Sequence, residues 1–123
     1  MTQTAAKIET KTFNAPDEVR RFAKGKLELV NVAGASVGRA TFEPGWKWST
    51  SVKPIAKTAS CAVAHFGCQL SGTMVTRVDD GTGTTTKAGD VFCIPPGHDA
   101  WVVGNETVVV LDFQGMASYA KDR

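Results

Sequence analysis

Apolar residues in this chain are concentrated in short runs, many of which alternate with polar residues, and Gly, Pro and Asp separate one run from the next. The runs follow one another at intervals of about ten residues, a spacing typical of sandwiches and barrels built from short strands. This pattern predicts eight or more strands, within the segments Ile8–Phe13, Leu27–Val32, Ser36–Phe42, Cys61–Leu70, Thr73–Val78, Thr84–Lys87, Val91–Ile94, Trp101–Val103 and Thr107–Phe113.

Three segments depart from the strand pattern. Val19 and Phe22 lie three residues apart after a turn sequence, which predicts a single helical turn near the N-terminus. The tail Met116–Arg123 is expected either to form a last helical turn or to fray. Pro44–Thr58 is too irregular for a regular element and is predicted to be a loop. We therefore predict an all-β protein with short helical turns near its termini.

Composition agrees with this prediction and narrows the class of protein. The 14 Val, 14 Thr and 3 Ile far outnumber the 4 Leu, and β-branched side chains favour strands over helices. A length of 123 residues suits one domain, and a net charge of +2 provides no basic stripe for nucleic acid. The chain shows neither a signal-peptide pattern nor a run of about 18 apolar residues, so we expect a cytoplasmic protein without membrane contact.

A motif near the C-terminal end suggests a more specific fold. The segment from Gly89 to Gly97 reads G-D-x4-P-x-G. Gly89 and Asp90 would turn the chain tightly into a strand, and Pro95 would end that strand because it has no N–H to donate. The motif resembles the second conserved motif of the cupin superfamily, and the segment Pro95–Trp101 is similar to that of small single-domain cupins.

The first cupin motif is partly present, since Gly45 and Gly72 stand where it begins and ends, although further apart than usual. The resemblance implies a single-domain cupin β-barrel, also called a double-stranded β-helix or jelly roll. It divides the domain into N-terminal strands and a turn at 1–35, a cupin barrel at 36–113 and a C-terminal tail at 114–123.

Cupins commonly hold a metal ion with two His of an H-x-H sequence, one Glu and a third His. In this chain the H-x-H position, counted from the start of the first motif, falls on Ser51–Lys53. His65 stands at the position of the Glu, and Ala100 stands at that of the third His, with His98 two residues earlier. The resemblance therefore implies a degenerate metal site, with His65 and His98 as its remaining ligands.

His65 and Gln69 would share one face of a strand with Cys61. If this face lines the barrel, His65 is either a hydrogen-bonded structural residue, or a metal ligand, or a catalytic base, and Gln69 orients a bound ligand. Four residues along a strand would place Cys61 about 13 Å from His65, too far for the two to bind one metal ion. The chain has no CxxC pair, and Cys68 and Cys93 are expected to be reduced core residues.

Three further residues are candidates for ligand contact. Lys53 would point into the barrel as a cation in place of the metal, or else lie on the surface. Trp48 and Trp101 would line an apolar pocket near the barrel mouth, or else belong to the core or to a dimer interface.

Three functions are consistent with these residues. The first is a small cupin that binds a small molecule in its barrel, either at an incomplete metal site or with no cofactor, and Fe, Mn, Ni and Zn are not distinguished. The second is a metal-dependent enzyme of the oxygenase or isomerase type. The third is a non-catalytic module that forms a homodimer through strands such as Leu27–Val32 or Thr107–Phe113.

Overall fold

A computed structural model describes residues 7–116 and 119–121. In these ranges the chain forms nine strands and two helices of a single turn each. In chain order they are β1 (Glu18–Phe22), β2 (Gly25–Val32), β3 (Ala35–Phe42), α1 (Trp48–Ser51), α2 (Lys53–Ala56), β4 (His65–Ser71), β5 (Thr73–Val78), β6 (Gly83–Lys87), β7 (Val91–Ile94), β8 (His98–Val103) and β9 (Val108–Asp112).

The strands form two antiparallel sheets that enclose one core. The larger sheet has the order β1-β2-β3-β9-β4-β7, and the smaller has the order β6-β5-β8. Every second residue of β4 and β9 is buried, so that one face of each strand lines the interior. The predicted all-β barrel is confirmed, and β1 and β2, which precede residue 36, belong to the larger sheet.

Turn residues of the second motif occupy the predicted places. Gly89 and Gly97 have φ values of 95° and 85°, a backbone region that favours glycine. A carboxylate oxygen of Asp90 accepts a hydrogen bond of 2.8 Å from the Lys87 N–H and closes the turn before β7. That strand ends at Ile94, directly before Pro95.

Several elements differ from the sequence prediction. Ile8–Phe13 forms no strand, and the segment predicted as a helical turn around Val19 is strand β1. In β1 the inward residues are Arg20 and Phe22, and pairing of the whole segment with β2 overrides the three-residue spacing that suggested a helix. The segment predicted as a loop contains α1 and α2. For the predicted tail Met116–Arg123, residues 117, 118, 122 and 123 lie outside the described residues.

Strand order and cysteine exposure bear on two further predictions. Strands β2 and β9 each lie between two other strands, so neither offers a free edge for pairing across a two-fold axis. Cys68 is half-buried and Cys93 is exposed, so the prediction that both belong to the core is wrong. In the described part of the chain, no helix is long and apolar enough to cross a bilayer.

Candidate functional site

Inside the barrel, three residues bring metal-binding atoms together. The ligand atoms of Cys61, His65 and His98 all lie within 4.8 Å of one another, and all three residues are buried. The two imidazole rings are nearly perpendicular, with their centres 5.2 Å apart. His65 begins β4 in the larger sheet and His98 begins β8 in the smaller sheet, so the site lies between the two sheets. Both predicted histidines therefore meet at one place.

Cys61 reaches this place because it lies before β4 and not within it. Its N–H donates to the His98 carbonyl at 2.8 Å, and its own carbonyl accepts from the Gly97 N–H at 2.7 Å, which attaches it to the start of β8. His65 instead pairs with Ile94 in the other sheet. The chain crosses between the sheets over residues 62–64 and leaves the Cys61 Sγ 3.7 Å from the His65 Nε2. The prediction that Cys61 and His65 lie about 13 Å apart is wrong.

Asp112 completes the arrangement and was not predicted. It is fully buried at the end of β9, and one carboxylate oxygen lies 2.6 Å from the His65 Nδ1. The other oxygen accepts hydrogen bonds from the N–H groups of Phe66 at 3.3 Å and Gln114 at 2.9 Å. Contacts with N–H donors alone are typical of an ionised carboxylate, which can only accept. Asp112 thus fixes the His65 ring and turns its Nε2 toward Cys61.

His98 is oriented in a similar way. Its Nδ1 lies 2.7 Å from the carbonyl oxygen of Pro95, and a carbonyl can only accept. The Nδ1 therefore carries the hydrogen, and in the neutral ring the Nε2 presents a lone pair. His98 is buried, with only 4% of its surface exposed.

Burial and hydrogen bonding shift the pKa of Cys61 and His65 in opposite directions. Burial alone would raise the pKa of Cys61, but hydrogen bonds with His65 and His98 outweigh it and lower the pKa from 9.0 to about 6. Burial alone would lower the pKa of His65, but the hydrogen bonds with Asp112 and Cys61 raise it from 6.5 to about 9. In the metal-free protein, both pKa shifts favour a thiolate at Cys61 beside an imidazolium at His65.

Tyr119 covers the other side of the site. Its ring centre lies 5.4 Å from that of His65 in an edge-on contact. Burial, together with the nearby charges of Cys61 and Asp112, raises the pKa of the Tyr119 hydroxyl well above its usual value. Arg20 holds this part of the chain by donating to the Tyr119 carbonyl at 2.6 Å.

A small cavity adjoins the two histidines. Its volume is about 40 Å³, and most of its wall is apolar. The residues of this wall include Phe42, Met74, Phe92, Ile94, Val110 and Met116. Like most ligand-binding pockets, the cavity has an apolar surface and few polar groups, but its volume is small.

Gln69 lines this cavity, but its side chain is already engaged. The amide nitrogen donates to the carbonyl oxygens of Gly72 at 2.9 Å and Thr86 at 3.2 Å, and the amide oxygen accepts from the Thr86 hydroxyl at 2.6 Å. These bonds tie the turn after β4 to β6. Gln69 therefore has a structural role in this arrangement, and the hydrogens of its amide nitrogen are already used.

The other three predicted contacts lie away from the cavity. Lys53 is exposed at the start of α2, and Trp48 is buried in the core at the start of α1. Trp101 is half-buried on β8, with the cations of Lys47 and Arg77 5.3 and 5.9 Å from its ring centre. None of the three lines the cavity beside the histidines. Their predicted ligand-binding roles therefore do not concern this cavity, and Trp101 lines a separate surface pocket together with Lys47 and Arg77.

Two signals in the sequence could have revealed the missed residues. Asp112 follows Val108 and Val110 at spacings of two, which places an acidic side chain on an inward face. For Cys61, counting forward from Gly45 fails because α1 and α2 lengthen the connection to β4. A ligand from this part of the chain is therefore expected just before β4, where Cys61 lies.

Comparisons with known proteins identify the fold. No protein-family model and no curated protein matches the chain. Among solved structures, a cupin-like protein from Thermotoga maritima is 19% identical with a TM-score of 0.52, over 73% of this chain and 67% of that one. A protein of unknown function from an Acinetobacter species is 14% identical with a TM-score of 0.55, over 80% of this chain and 95% of that one.

The oxalate decarboxylase from Lactobacillus farciminis, solved as a formate complex, is 13% identical with a TM-score of 0.58. This match covers 91% of the present chain and 35% of the decarboxylase. The fold of this protein is that of the cupin superfamily. Identities this low establish the fold alone, and function has to come from the site.

Proposed function

We propose that the protein binds a divalent transition-metal ion through the Cys61 Sγ, the His65 Nε2 and the His98 Nε2, and holds a small molecule in the adjoining cavity. The observation that carries this proposal is that one ligand atom from each of these three residues lies within 4.8 Å of the others inside the barrel. Three protein ligands with a further position open to the cavity are typical of catalytic metal sites, in which the ion acts as a Lewis acid or activates water.

The groups behind the two histidines support a metal site. Histidines that bind metals usually donate their second ring N–H to a carboxylate or a carbonyl, which fixes the ring and its tautomer. Here Asp112 holds the Nδ1 of His65 at 2.6 Å, and the Pro95 carbonyl holds the Nδ1 of His98 at 2.7 Å. Both Nε2 atoms are thereby directed to the place where Cys61 supplies sulfur.

The ligand set also selects among metals. A thiolate with two imidazoles suits Zn, Fe, Ni or Cu, whereas Mg, Ca and Mn prefer oxygen ligands. The chain itself contributes Asp112 to hold the site and an apolar cavity wall to exclude water. An oxygenase or isomerase activity, as the sequence suggested, would take place at the position that faces this cavity.

Cobalt(II) titration tests the metal site. We expect one equivalent to bind, with a sulfur-to-cobalt charge-transfer absorption that is absent from Cys61→Ser. Removing a residue that hydrogen-bonds to a metal ligand typically lowers metal affinity about 10- to 100-fold. Removing the sulfur ligand itself should therefore lower the affinity at least about 100-fold. Cys68→Ser and Cys93→Ser are matched controls that should keep both the absorption and the affinity. Absence of stoichiometric cobalt, or a band that persists in Cys61→Ser, would refute the proposal.

A second candidate function is thiol chemistry without a metal. It is favoured by the continuous chain from Asp112 through His65 to Cys61, with contacts of 2.6 and 3.7 Å. A base held by a third group beside a nucleophile is the arrangement that activates cysteine for covalent catalysis. In this alternative Cys61 would attack a small electrophile in the cavity.

The ionisation of Cys61 can be measured directly in metal-free protein. We expect the ultraviolet absorption of its thiolate, taken as the difference between wild type and Cys61→Ser, to appear with a midpoint near pH 6 instead of 9. His65→Asn removes the Nε2 donor and should move the midpoint upward. A midpoint near 9 in the wild type would contradict the ion pair and exclude the thiol candidate.

A further inference from the structure

We infer that the protein forms a homodimer in which the outer face of strands β9, β4 and β7 packs against the same face of a second copy. This inference goes beyond the metal site and does not depend on it. It follows from a sheet face that is apolar, uncharged and open among the described residues, and from the area that this face offers.

Eight apolar side chains lie on the outward side of these three adjacent strands. β4 lies between β9 and β7 in the larger sheet, and its inward residues His65 and Gln69 line the cavity. The outward positions of the three strands, together with the residue directly after β9, carry no charged side chain. We call the eight residues the outer apolar face: Phe66, Cys68, Leu70, Val91, Cys93, Val109, Leu111 and Phe113.

Four of these side chains are exposed to an unusual degree for their size. Val91 is 72% exposed, Leu70 is 50%, Phe66 is 48% and Phe113 is 42%. Phe66 pairs with Cys93 of β7 on one side, and on the other its carbonyl accepts a hydrogen bond of 2.8 Å from the Phe113 N–H. The exposed residues are therefore neighbours in one patch, and contiguous apolar patches mark interaction sites.

Other outer surfaces of the barrel are charged or covered. The smaller sheet presents Arg77 on β5, Lys87 on β6 and Asp99 on β8. In the rest of the larger sheet, the segment before β1 lies over β3, with the Phe13 ring centre 4.8 Å from the guanidinium carbon of Arg39. Among the described residues the outer apolar face has no comparable cover, since half of its side chains remain at least 42% exposed.

The area of the outer apolar face is in proportion to a dimer interface. A fully exposed side chain of this size has about 200 Å² of surface, so the four most exposed members of the face present about 400 Å². Each partner of a standard interface buries about 800 Å², in which a polar rim surrounds an apolar core. The exposed apolar residues are therefore sufficient for the core of such an interface.

A second copy is the partner that suits a face without charge. The face has no charge that would select a protein of complementary charge, and no cation that would attract acidic lipid headgroups. In a two-fold dimer the face meets itself, so that both surfaces are apolar and uncharged. Two sheets pack in this way at about 10 Å through interdigitating side chains. β9 contributes its outer face and not an edge, so its central place in the sheet does not prevent the contact.

Sedimentation velocity of the purified protein tests the dimer. Without added metal, we expect the sedimenting mass of the wild type to rise from one copy to two as the protein concentration increases. Val91→Glu should raise the dissociation constant of the dimer at least about 100-fold, because each copy would bury an unpaired carboxylate. Val103→Glu is the matched control and should dimerise like the wild type, since Val103 is 42% exposed on β8 in the smaller sheet.

Two results would overturn the inference. One is a wild type that stays monomeric at every concentration, and the other is a folded Val91→Glu that dimerises as strongly as the wild type. If the monomeric wild type floats with vesicles of neutral phosphatidylcholine, the outer apolar face contacts lipid instead of a second copy. Circular dichroism checks the fold of Val91→Glu, whose substituted position is largely exposed in the single chain.

Alkylation of Cys93 tests the same face in the unmodified wild type. Cys93 is exposed in the single chain and would be covered in the dimer. In excess iodoacetamide, we expect the rate of Cys93 alkylation, followed by mass spectrometry, to fall several-fold as the protein passes from monomer to dimer. A dimer in which Cys93 reacts as fast as in the monomer would show that another face forms the interface.

Discussion

Replacing Gly67 by alanine is expected to destabilise the barrel strongly. Gly67 lies in β4 directly against β9, and a Cβ atom added there would overlap the Leu111 carbonyl and approach the Asp112 Cα to 2.9 Å. The obstructing atoms are backbone, which cannot turn aside as a flexible side chain does. We expect a loss of more than about 3 kcal/mol in the free energy of unfolding, measured by urea denaturation and circular dichroism.

Gly89→Ala is the matched control for this variant. Gly89 has a φ of 95°, and an added Cβ there would meet no atom within 4 Å. Its substitution should cost only the strain of the left-handed backbone, about 1–2 kcal/mol. If Gly67→Ala were no less stable than Gly89→Ala, the close approach of β4 to β9 would be refuted. That approach matters for function because it brings His65 of β4 to Asp112 of β9.

His65→Ala is the second large effect that we expect. Removing the imidazole leaves the Asp112 carboxylate fully buried without its charged partner. Breaking a buried pair in this way typically costs about 3–5 kcal/mol, and the metal affinity is lost as well. Urea denaturation of the metal-free protein measures the first effect, and cobalt titration measures the second.

His65→Asn separates stability from ligand binding. The asparagine amide can donate to Asp112 from about the position of the histidine Nδ1, but it has no atom at the position of Nε2. We expect this variant to recover much of the lost stability while cobalt binding stays absent. The double variant His65→Ala with Asp112→Asn should be more stable than His65→Ala alone, because the buried charge is gone. If His65→Ala were as stable as wild type, the pairing with Asp112 would contribute nothing to the fold.

Much of the architecture could be predicted from the sequence because it depends on local chemistry. The segments predicted at Thr73–Val78 and Val91–Ile94 coincide with β5 and β7. Alternation of apolar and polar residues decides which face of a strand is buried, so it also placed His65 in the interior. Turn glycines such as Gly89 and Gly97 were predictable because their φ values suit few other residues.

Other elements depended on partners far away in the chain. Segment Glu18–Phe22 is a strand because β2 pairs with it along its whole length, whereas Ile8–Phe13 finds no such partner among the described residues. Two short helices between Gly45 and Cys61 are set by the packing of Trp48 and Val52 into the core. A local pattern carries no information about these contacts, because secondary structure in short segments is decided largely by tertiary packing.

The sequence by itself determined an all-β cupin barrel with two histidines at or beside motif positions, and the structure brings those histidines together. Only the tertiary structure decided what surrounds them. Distance along a strand grows by about 3.3 Å per residue, so the sequence predicted that Cys61 and His65 lie far apart. In the folded chain these residues belong to opposite sheets that face each other across the interior, and Asp112 arrives from a third strand. The site consists of contacts between sheets, and no spacing within one segment encodes such contacts.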